Sequence, residues 1–560
     1  RSLRSPTDVL TKGHADLVFD EAHDLEDTLT SAWTETLSEY GIAGLAASLG
    51  ARRGPLRMAR RAFAALELDV DEMASLSDLQ NARKDLLSAG KELGEAVRLY
   101  VHEYGGSGTE VVLQRGIADR RPEFRAVRSA AVELRLAFIA IRRSGLGLID
   151  DLNRLDDDEH KTPKPVAAAI SRLFALLRQL ETPLEIVDGL RDLGDGHLWL
   201  HRLTVERRDD ESAGPWAYER LPIHIAHRFS RDVVQSAHSV VLTSATLQVA
   251  GSFAFLSQRL GIQIEPGAET HGAFDGRVLR SPFDYEKQSA LVLTNHLPVP
   301  VPVSEREFCE EMAADQVGFL SLSKGKALVL FAARARMNKV AELTRERAQD
   351  LEERDVRIVT QDEVSRVELA ARFREEPGTV AYGVRSYWQG FDAKGETLTY
   401  LFIEKPPYPH PDDALVRARQ RALEDIGQDP FLGYVVPKTA ILMAQGFGRL
   451  IRDEDDRGVA IVCDRRLQSP GVANQMLLDT LPGPTIHHAE DRADAWTFAI
   501  EFATGVPPDL SDAVALPLDD VSTLLEELRL VEGEDPEPKL RRAAREIFQV
   551  EHVRDEQMDL

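Results

Sequence analysis

Residues 17–23 read LVFDEAH, three apolar side chains followed by two adjacent carboxylates. The apolar run predicts a buried strand, with Asp20 and Glu21 at the position where it ends. Sheets of the α/β class bind ligands at the carboxyl ends of their strands, so both carboxylates are placed for chemistry. One can hold Mg²⁺ through water, and its neighbour can accept a proton from an attacking water. The alternative is an ordinary solvated loop.

A second segment, VVLTSATL at residues 240–247, also places small polar side chains after an apolar run. The hydroxyl groups of Ser244 and Thr246 can donate hydrogen bonds to a carboxylate or a phosphate. The alternative is a strand end whose hydroxyls only cap the following backbone.

A third segment, GVRSYWQGFD at residues 383–392, combines glycines with aromatic and acidic side chains. Gly390 permits close approach of the backbone to a ligand, and the Asp392 carboxylate can bind a ribose hydroxyl or an arginine. The alternative is an aromatic-lined turn without a ligand.

A fourth segment, QGFGRLIR at residues 445–452, carries two arginines three positions apart. On a helix, Arg449 and Arg452 would share one face and reach one phosphate chain, which planar guanidinium groups bind in a bidentate way. The alternative is a surface face of salt bridges.

Composition limits the class of protein. The 560 residues contain 68 basic and 93 acidic side chains, a formal charge of −25, and 43% are hydrophobic. This content is typical of a globular protein, and the length predicts roughly three to five domains. The acidic balance disfavours a protein whose whole surface binds nucleic acid. Residues 501–560 hold 16 acidic and 6 basic side chains, so this tail supplies ten of the excess negative charges.

Cysteine content and apolar run length exclude further classes. Only Cys309 and Cys463 are present, which excludes a disulfide scaffold and favours a reducing compartment, predicted here to be the cytoplasm. Two cysteines cannot supply a four-cysteine zinc site or an iron–sulfur cluster from this chain alone. No apolar run approaches the roughly 18 residues of a membrane helix, so no membrane partner is predicted.

Periodicity divides the chain into a helical part and an α/β part. Apolar residues recur at three- and four-residue steps over 76–104, 126–149 and 166–190, which predicts a helical bundle, and residues 198–205 with 216–221 predict a hairpin. From residue 240 onward, short apolar runs alternate with polar helices, which is typical of a parallel sheet covered on both faces. The predicted strands are 239–242, 327–331, 356–359, 379–382, 398–403 and 459–463, most of them in one complete α/β domain over 290–485.

Together and in this order, the four segments resemble the motifs of superfamily 2 helicases, specifically the DinG/XPD branch of iron–sulfur helicases and its bacterial DinG-like proteins. The resemblance covers about residues 10–485. It extends to connecting stretches, which are SPF at 281–283, ALVLF at 327–331, PPYP at 406–409, PDD at 411–413, DRG at 456–458 and DRR at 464–466.

The resemblance implies an α/β fold with a RecA-like helicase core. Residues 1–25 would end a first, incomplete RecA-like domain, 26–215 would form a helical arch-type insertion, and 216–285 would return to the first domain. A complete second RecA-like domain over 286–490 and an acidic extension over 491–560 would follow.

Spacing within the sequence agrees with such an insertion. From His23 to Ser244 there are 221 positions, whereas a bare RecA-like core needs only a helix and a strand there. In the family, the arch domain helps to enclose the DNA strand. An arginine run without acidic neighbours lies in this part and is either a set of phosphate contacts or a solvated helix face; its members are Arg52, Arg53, Arg57, Arg60 and Arg61.

By the same resemblance, the chain belongs to an ATP-dependent DNA helicase that moves 5′→3′ on single-stranded or forked DNA, as a monomer, in repair or replication. Asp20 would organise Mg²⁺ through water, and Glu21 would be the general base for ATP hydrolysis. The other implied roles are coupling of nucleotide state to DNA by His23, Ser244 and Thr246, nucleotide binding by Gly390, Asp392, Gln445 and Gly448, and phosphate contact by Arg449 and Arg452, the latter as arginine finger.

The phosphate-binding loop GxxxxGK[ST] of the family does not occur in the sequence. The nearest candidates, Gly90-Lys91 and Gly325-Lys326, lack the hydroxyl residue and the upstream glycine. In the family, this loop and the four cysteines of a 4Fe–4S cluster precede the Asp-Glu pair. We therefore expect a C-terminal portion of a helicase that binds ATP poorly by itself. The alternative is a catalytically inactive nucleic-acid-binding or scaffold protein of helicase descent.

Overall fold

The computed structural model describes residues 16–66, 74–105, 109–155, 163–207, 213–265, 273–346, 351, 355–376, 378–384, 387 and 398–513. Contacts divide the chain into two compact units. Unit 1 comprises Arg1–Leu279 and Tyr408–Ile441, and unit 2 comprises Arg280–Pro407 and Leu442–Leu560.

The strands, in chain order, are β1 (Asp16–Phe19), β2 (Glu35–Ser38), β3 (Glu110–Leu113), β4 (Trp199–Arg207), β5 (Ala213–Pro222), β6 (Ser239–Leu242), β7 (Gln263–Glu265), β8 (Ala273–Asp275), β9 (Ser289–Leu293), β10 (Ala327–Leu330), β11 (Arg357–Thr360), β12 (Thr379–Gly383), β13 (Tyr400–Ile403), β14 (Gly458–Val462) and β15 (Thr485–His488).

The α-helices are α1 (Leu25–Trp33), α2 (Glu39–Gly50), α3 (Pro55–Ala65), α4 (Ala74–Tyr104), α5 (Arg115–Ala118), α6 (Pro122–Leu155), α7 (Lys164–Gln179), α8 (Glu181–Arg191), α9 (Ala226–Phe229), α10 (Ala254–Leu260), α11 (Tyr285–Gln288), α12 (Glu305–Ser323), α13 (Arg334–Glu346), α14 (Arg366–Glu375), α15 (Ala414–Glu424), α16 (Val436–Phe447), α17 (Val472–Asp479) and α18 (Arg492–Thr504). None of the helices within the described ranges is both long and apolar enough to cross a bilayer.

The helical part of unit 1 is organised by the two long helices α4 and α6, which pack against each other. Leu79, Leu86 and Leu93 of α4 are fully buried seven positions apart, so one stripe of the helix faces a core shared with α2, α3, α7 and α8. The predicted helical run over 166–190 is divided into the two helices α7 and α8, which meet at Leu180. Pro183 lacks the amide hydrogen that a continuous helix would use there.

A four-stranded antiparallel sheet, in the order β2-β5-β4-β3, covers part of this helical core. Antiparallel pairing of β4 with β5 confirms the predicted hairpin. The outer strands β2 and β3 were not predicted, since each is only four residues long. Trp216 and Tyr218 of β5 are almost fully buried and join the sheet to the helices.

Strands β1 and β6 form a separate parallel pair in unit 1, with Leu17 opposite Val240 and Val18 opposite Val241. The prediction that both strands are buried is wrong for one face of the strand pair, because Val18 is 68% and Val241 is 50% exposed on that face. Side chains alternate along a strand, so Leu17 turns toward the core while Val18 turns away. In the described part of the chain, no element covers the face to which Val18 belongs.

Buried charges fix helix α1 inside unit 1. The Glu26 carboxylate is 4% exposed, accepts a hydrogen bond from Arg259 Nε at 2.8 Å and lies 3.4 Å from Arg419 Nε. Burial alone would raise the pKa of Glu26, but the two guanidinium groups hold it below its ordinary value. Arg419 is 1% exposed and donates to the hydroxyls of Thr30 and Tyr434, each at 2.8 Å.

Asp27 extends the same network. Lys438 Nζ lies 2.8 Å from one of its carboxylate oxygens, and Arg419 Nη1 donates to the other at 3.2 Å. Burial would raise the pKa of Asp27, but Lys438 and Arg419 together lower it to about 2. These ion pairs explain why Tyr408–Ile441, which lies between β13 and β14 in the sequence, packs with unit 1.

In its described residues, unit 2 contains a seven-stranded parallel sheet in the order β11-β12-β10-β13-β14-β9-β15. This arrangement confirms the predicted α/β class and matches the RecA-like domain that the resemblance implies. Every residue of the five strands from β12 to β9 in this order is buried, so helices and loops cover both faces. Strands β9 and β15 were not among the predicted strands. Gly318 of α12 is required by packing, because a Cβ there would lie 2.1 Å from the Trp496 ring.

We expect Arg419→Met to destabilise unit 1 by about 3–5 kcal/mol, because it removes one partner of a buried carboxylate and leaves two hydroxyl groups without a donor. Urea unfolding, followed by hydrogen exchange of peptides from α1 and α15, measures the loss. The control is Arg417→Met on the same helix, whose exposed side chain should contribute less than about 0.5 kcal/mol. Equal stability of the two variants would contradict the role given to the network.

The lowered pKa of Asp27 predicts a pH dependence of stability. Its folded value of about 2 lies below the ordinary 3.8, so the ion pair with Lys438 stabilises the fold above about pH 4. That contribution is lost as the pH falls from 4 toward 2. Asp27→Asn should therefore lower the urea midpoint most at pH 6 and by less at each step down to pH 2.5. Asp425→Asn, at an exposed position of the same unit, serves as the control. If Asp27→Asn lowered the urea midpoint by the same amount at every pH, the lowered pKa of Asp27 would be contradicted.

Candidate functional site

The segments that follow β1 and β6 emerge side by side at one edge of unit 1. The two strands pair in register up to Phe19 and Leu242. The pairing continues past the strand ends, where Thr243 N donates to Phe19 O at 2.9 Å and Ala22 N donates to Thr243 O at 3.0 Å. The sheet edge therefore brings the first and second sequence motifs together, as predicted for parallel strands.

Glu21, His23 and Ser244 form one hydrogen-bonded group at this edge. Ser244 Oγ donates to Glu21 Oε2 at 3.0 Å and lies 2.7 Å from His23 Nδ1, which is itself 3.2 Å from Glu21 Oε2. A hydroxyl carries one hydrogen. When Ser244 donates it to the carboxylate, His23 Nδ1 is the donor to Ser244.

The group combines a buried and an exposed end. The His23 side chain is 6% exposed, whereas that of Glu21 is 66% exposed. Thr246 N donates to Ser244 Oγ at 3.2 Å, so the loop after β6 folds back onto the same hydroxyl. Glu21 Oε2 is held, and Oε1 has no hydrogen-bond partner among the described residues. That second oxygen is available to accept a proton from water.

The backbone of Glu21 lies in the left-handed region, with φ of 51°. This conformation costs about 1–3 kcal/mol for a residue with a side chain. Two hydrogen bonds hold the turn: Glu21 N donates to Asp20 Oδ1, and Asp24 N donates to Glu21 O, both at 3.0 Å. The turn thereby directs the chain from β1 into helix α1 within five residues.

Asp20 is exposed at the carboxyl end of β1. Only its Oδ1 is engaged by a described residue, through the Glu21 amide. A carboxylate in this place fits Mg²⁺ bound through water, the mode the sequence indicates. Across the described ranges, no three His, Cys, Asp or Glu side chains are grouped to hold a metal directly.

Gln445 of unit 2 lies in the last turn of helix α16, which ends at Phe447. Arg449 and Arg452 follow in a turn, so the prediction that they share a helix face is wrong. Arg449 is 9% exposed and Arg452 is half-buried.

Two local causes end the helix before the arginines. Gly448 is a poor helix former, and its amide makes the last helical hydrogen bond, to Ala444 O at 2.9 Å. The Asp456 carboxylate then accepts from the amides of Arg452 and Asp453, at 2.8 and 2.9 Å. This competing turn replaces a further helical turn.

Gly390 and Asp392 of the third sequence motif lie outside the described residues. Their proposed contact with a nucleotide stays a prediction.

Glu404 was not singled out from the sequence, although it follows the apolar strand β13 just as Asp20 follows β1. It is fully buried, its Oε2 accepts from Ala332 N at 2.8 Å, and its Oε1 pairs with Arg336. Burial raises the pKa of Glu404, and Arg336 opposes that shift. These contacts tie the loops after β10 and β13 together at the carboxyl edge of the unit 2 sheet.

Cys309 and Cys463 are both buried in unit 2, at 2% and 1% exposure. Burial raises the pKa of the Cys309 thiol to about 11, which disfavours the thiolate that binds metals. An iron–sulfur cluster does not fit these two residues.

Comparison with known proteins identifies related sequences. Residues 317–482 match the family described as helicase C-terminal domain. The ATP-dependent DNA helicase YoaA of Escherichia coli is 31% identical over 468 residues, which cover 84% of this chain and 62% of that protein. The ATP-dependent helicase DinG of Mycobacterium tuberculosis is 31% identical over 263 residues, which cover 47% of this chain and 37% of that protein. The chain thus spans less than two thirds of the length of these relatives.

Among solved structures, the S. tokodaii Xpd4 structure is similar over 84% of this chain and 75% of its own, with 14% identity and a TM-score of 0.41. Residues 317–482 thus belong to the helicase C-terminal domain family, and the chain is similar in sequence to DinG- and YoaA-type helicases.

Proposed function

We propose that this chain provides the larger part of an ATP-dependent DNA helicase that unwinds or remodels DNA in repair or replication. The observation that carries the proposal is the Glu21–His23–Ser244 group, which joins the two motifs of unit 1 through hydrogen bonds of 2.7 and 3.0 Å. The relatives YoaA and DinG bear the names of ATP-dependent helicases. Movement in the 5′→3′ direction on single-stranded or forked DNA, and action as a monomer, follow from the family resemblance.

In this proposal, Glu21 takes a proton from the water that attacks the terminal phosphate of ATP. His23 and Ser244 orient the carboxylate by holding Oε2, which leaves Oε1 for the water. Asp20 would hold Mg²⁺ through water, and the bound ion supplies neutralisation of phosphate charge. Because Ser244 touches Glu21 directly, a shift of the loop after β6 would move the base. DNA contact at that loop and hydrolysis are coupled in this way.

The remaining roles rest on the resemblance. Gln445 and Gly448 would contact the nucleotide, Arg449 its phosphates, and Arg452 would act as the arginine finger. Gly390 and Asp392 would complete the nucleotide contacts, and Thr246 would join Ser244 in coupling to DNA.

The 560 residues lack the sequence GxxxxGK[ST], and this affects the ATP hydrolysis expected of the chain by itself. That loop would supply a cradle of backbone amides for the phosphates and a lysine beside them. We propose that a further part of the protein supplies this loop and a 4Fe–4S cluster. The same absence favours a second candidate, an inactive nucleic-acid-binding or scaffold protein. The reading frame before Arg1 separates the two: an in-frame loop followed by four spaced cysteines supports the helicase, and a start codon there supports the second candidate.

We expect the 560 residues alone to hydrolyse ATP negligibly in the presence of Mg²⁺ and single-stranded DNA. The measurement is phosphate release with and without DNA. Glu21→Gln is the matched control, because it removes the proposed base while keeping shape, and any rate it shares with the wild type comes from contaminating enzymes. Robust DNA-stimulated hydrolysis that Glu21→Gln abolishes would show that the chain needs no additional phosphate-binding loop.

A further inference from the structure

Residues 40–66 form a cationic segment in an acidic chain. Acidic residues make up 93 of the 560, about one in six, yet none occurs between Glu39 and Glu67. The same segment holds five arginines, which we call the arginine face: Arg52, Arg53, Arg57, Arg60 and Arg61. All five side chains are exposed.

Helix α3 separates its arginines from its apolar residues. Leu56, Phe63 and the alanines between them are buried in the helical core. Arg57, Arg60 and Arg61 follow the i, i+3, i+4 spacing of a single helix face, which is the face turned to solvent. The helix therefore presents three guanidinium groups together.

The turn before α3 is closely packed and carries the other two arginines of the face. Gly54 N donates to Ala51 O at 2.8 Å, and a Cβ on Gly54 would lie 2.2 Å from Ser48 O. Arg52 and Arg53 stand on this turn. The guanidinium of Arg83 flanks it, since a Cβ on Gly50 would lie 3.3 Å from Arg83 Cζ.

The arginine face lacks ion pairs in the part of the chain that the structure describes, whereas many arginines of unit 1 have them. Arg98 pairs with Glu39, and Arg202 with Glu219, while Arg220 pairs with Glu35. None of the five face arginines lies within 4 Å of a described carboxylate. The next carboxylates in sequence, within residues 67–72, lie outside the described ranges. Within the described residues, therefore, no carboxylate neutralises the charge of the face.

We propose that the arginine face binds the phosphate backbone of nucleic acid, at a site in the helical part of unit 1 and outside the Glu21–His23–Ser244 group. The inference rests on the proposed action on DNA and adds a contact that needs no nucleotide. Guanidinium groups bind phosphates in a bidentate way. Tyr40, at the start of the segment, is 66% exposed, but no other large apolar side chain is exposed in the described residues up to 66. The arginine face, which begins twelve positions later, therefore lacks the anchors typical of a protein partner and of base stacking. Binding there is independent of sequence.

The test is fluorescence anisotropy with a labelled oligothymidine and a labelled duplex, without ATP, at several salt concentrations. In the test variant, Gln replaces all five arginines of the face. The matched control replaces five other exposed arginines of unit 1 by Gln and so changes the net charge equally; they are Arg120, Arg125, Arg142, Arg143 and Arg172. Far-UV circular dichroism verifies folding of both, and a variant with Lys at the five face positions separates charge from guanidinium geometry.

We expect the face variant to lose at least about tenfold in affinity and its salt slope for the single strand to fall by about 2–3.5, since each phosphate contact contributes about 0.7. The control should bind within about twofold of the wild type. The single-strand and duplex arms show which form of backbone the face prefers, and a tenfold loss on either supports the site.

Three outcomes would overturn the site. The first is equal loss in the face variant and the control, which indicates bulk charge. The second is wild-type affinity in the face variant, which leaves the proposed helicase function standing, with DNA bound elsewhere. The third is binding of a polyglutamate of equal charge as tightly as DNA, which indicates an acidic protein partner. Hydrolysis of ATP, measured separately, reports on the proposed function itself.

Discussion

A contact of 2.7 Å between His23 Nδ1 and Ser244 Oγ joins residues that are 221 positions apart. Closing a flexible loop of that length would cost about 5 kcal/mol, whereas a single hydrogen bond contributes about 1 kcal/mol. The contact exists because the intervening residues form a core of their own around α4 and α6, and this core returns the chain to β6 beside β1. The candidate site therefore depends on the fold of the helical insertion, although none of the insertion's residues belongs to it.

Helix α1 supplies a second constraint on the same edge. It begins two residues after His23, and its Glu26 is held by Arg259 and Arg419 in a site that excludes water. The loop with Asp20 and Glu21 is thus fixed at both ends, by the β1–β6 pairing before it and by buried ion pairs after it. Precise placement of Glu21 as the proposed proton acceptor requires such fixed ends.

Apolar patterns in the sequence correctly predicted the features that are set by residues close together in the chain. The positions of Asp20 and Ser244 at strand ends, the parallel sheet of unit 2 and the β4–β5 hairpin all follow from apolar periodicity. Features set by distant residues were not predictable. The exposure of Val18 depends on which elements flank β1, and the partner of Asp27 lies at Lys438. The sequence also suggested a helix through Arg449, because periodicity does not show the turn that the Asp456 carboxylate holds after Gly448.

At Glu21 the left-handed backbone lowers the stability of the fold, while the side chain supplies the carboxylate of the candidate site. Glycine adopts this conformation without steric cost, so a change to glycine would relax the turn while removing the carboxylate. Alanine would remove the carboxylate and keep the strained backbone, so comparing glycine with alanine at this position separates the cost of the turn from the contacts of the side chain.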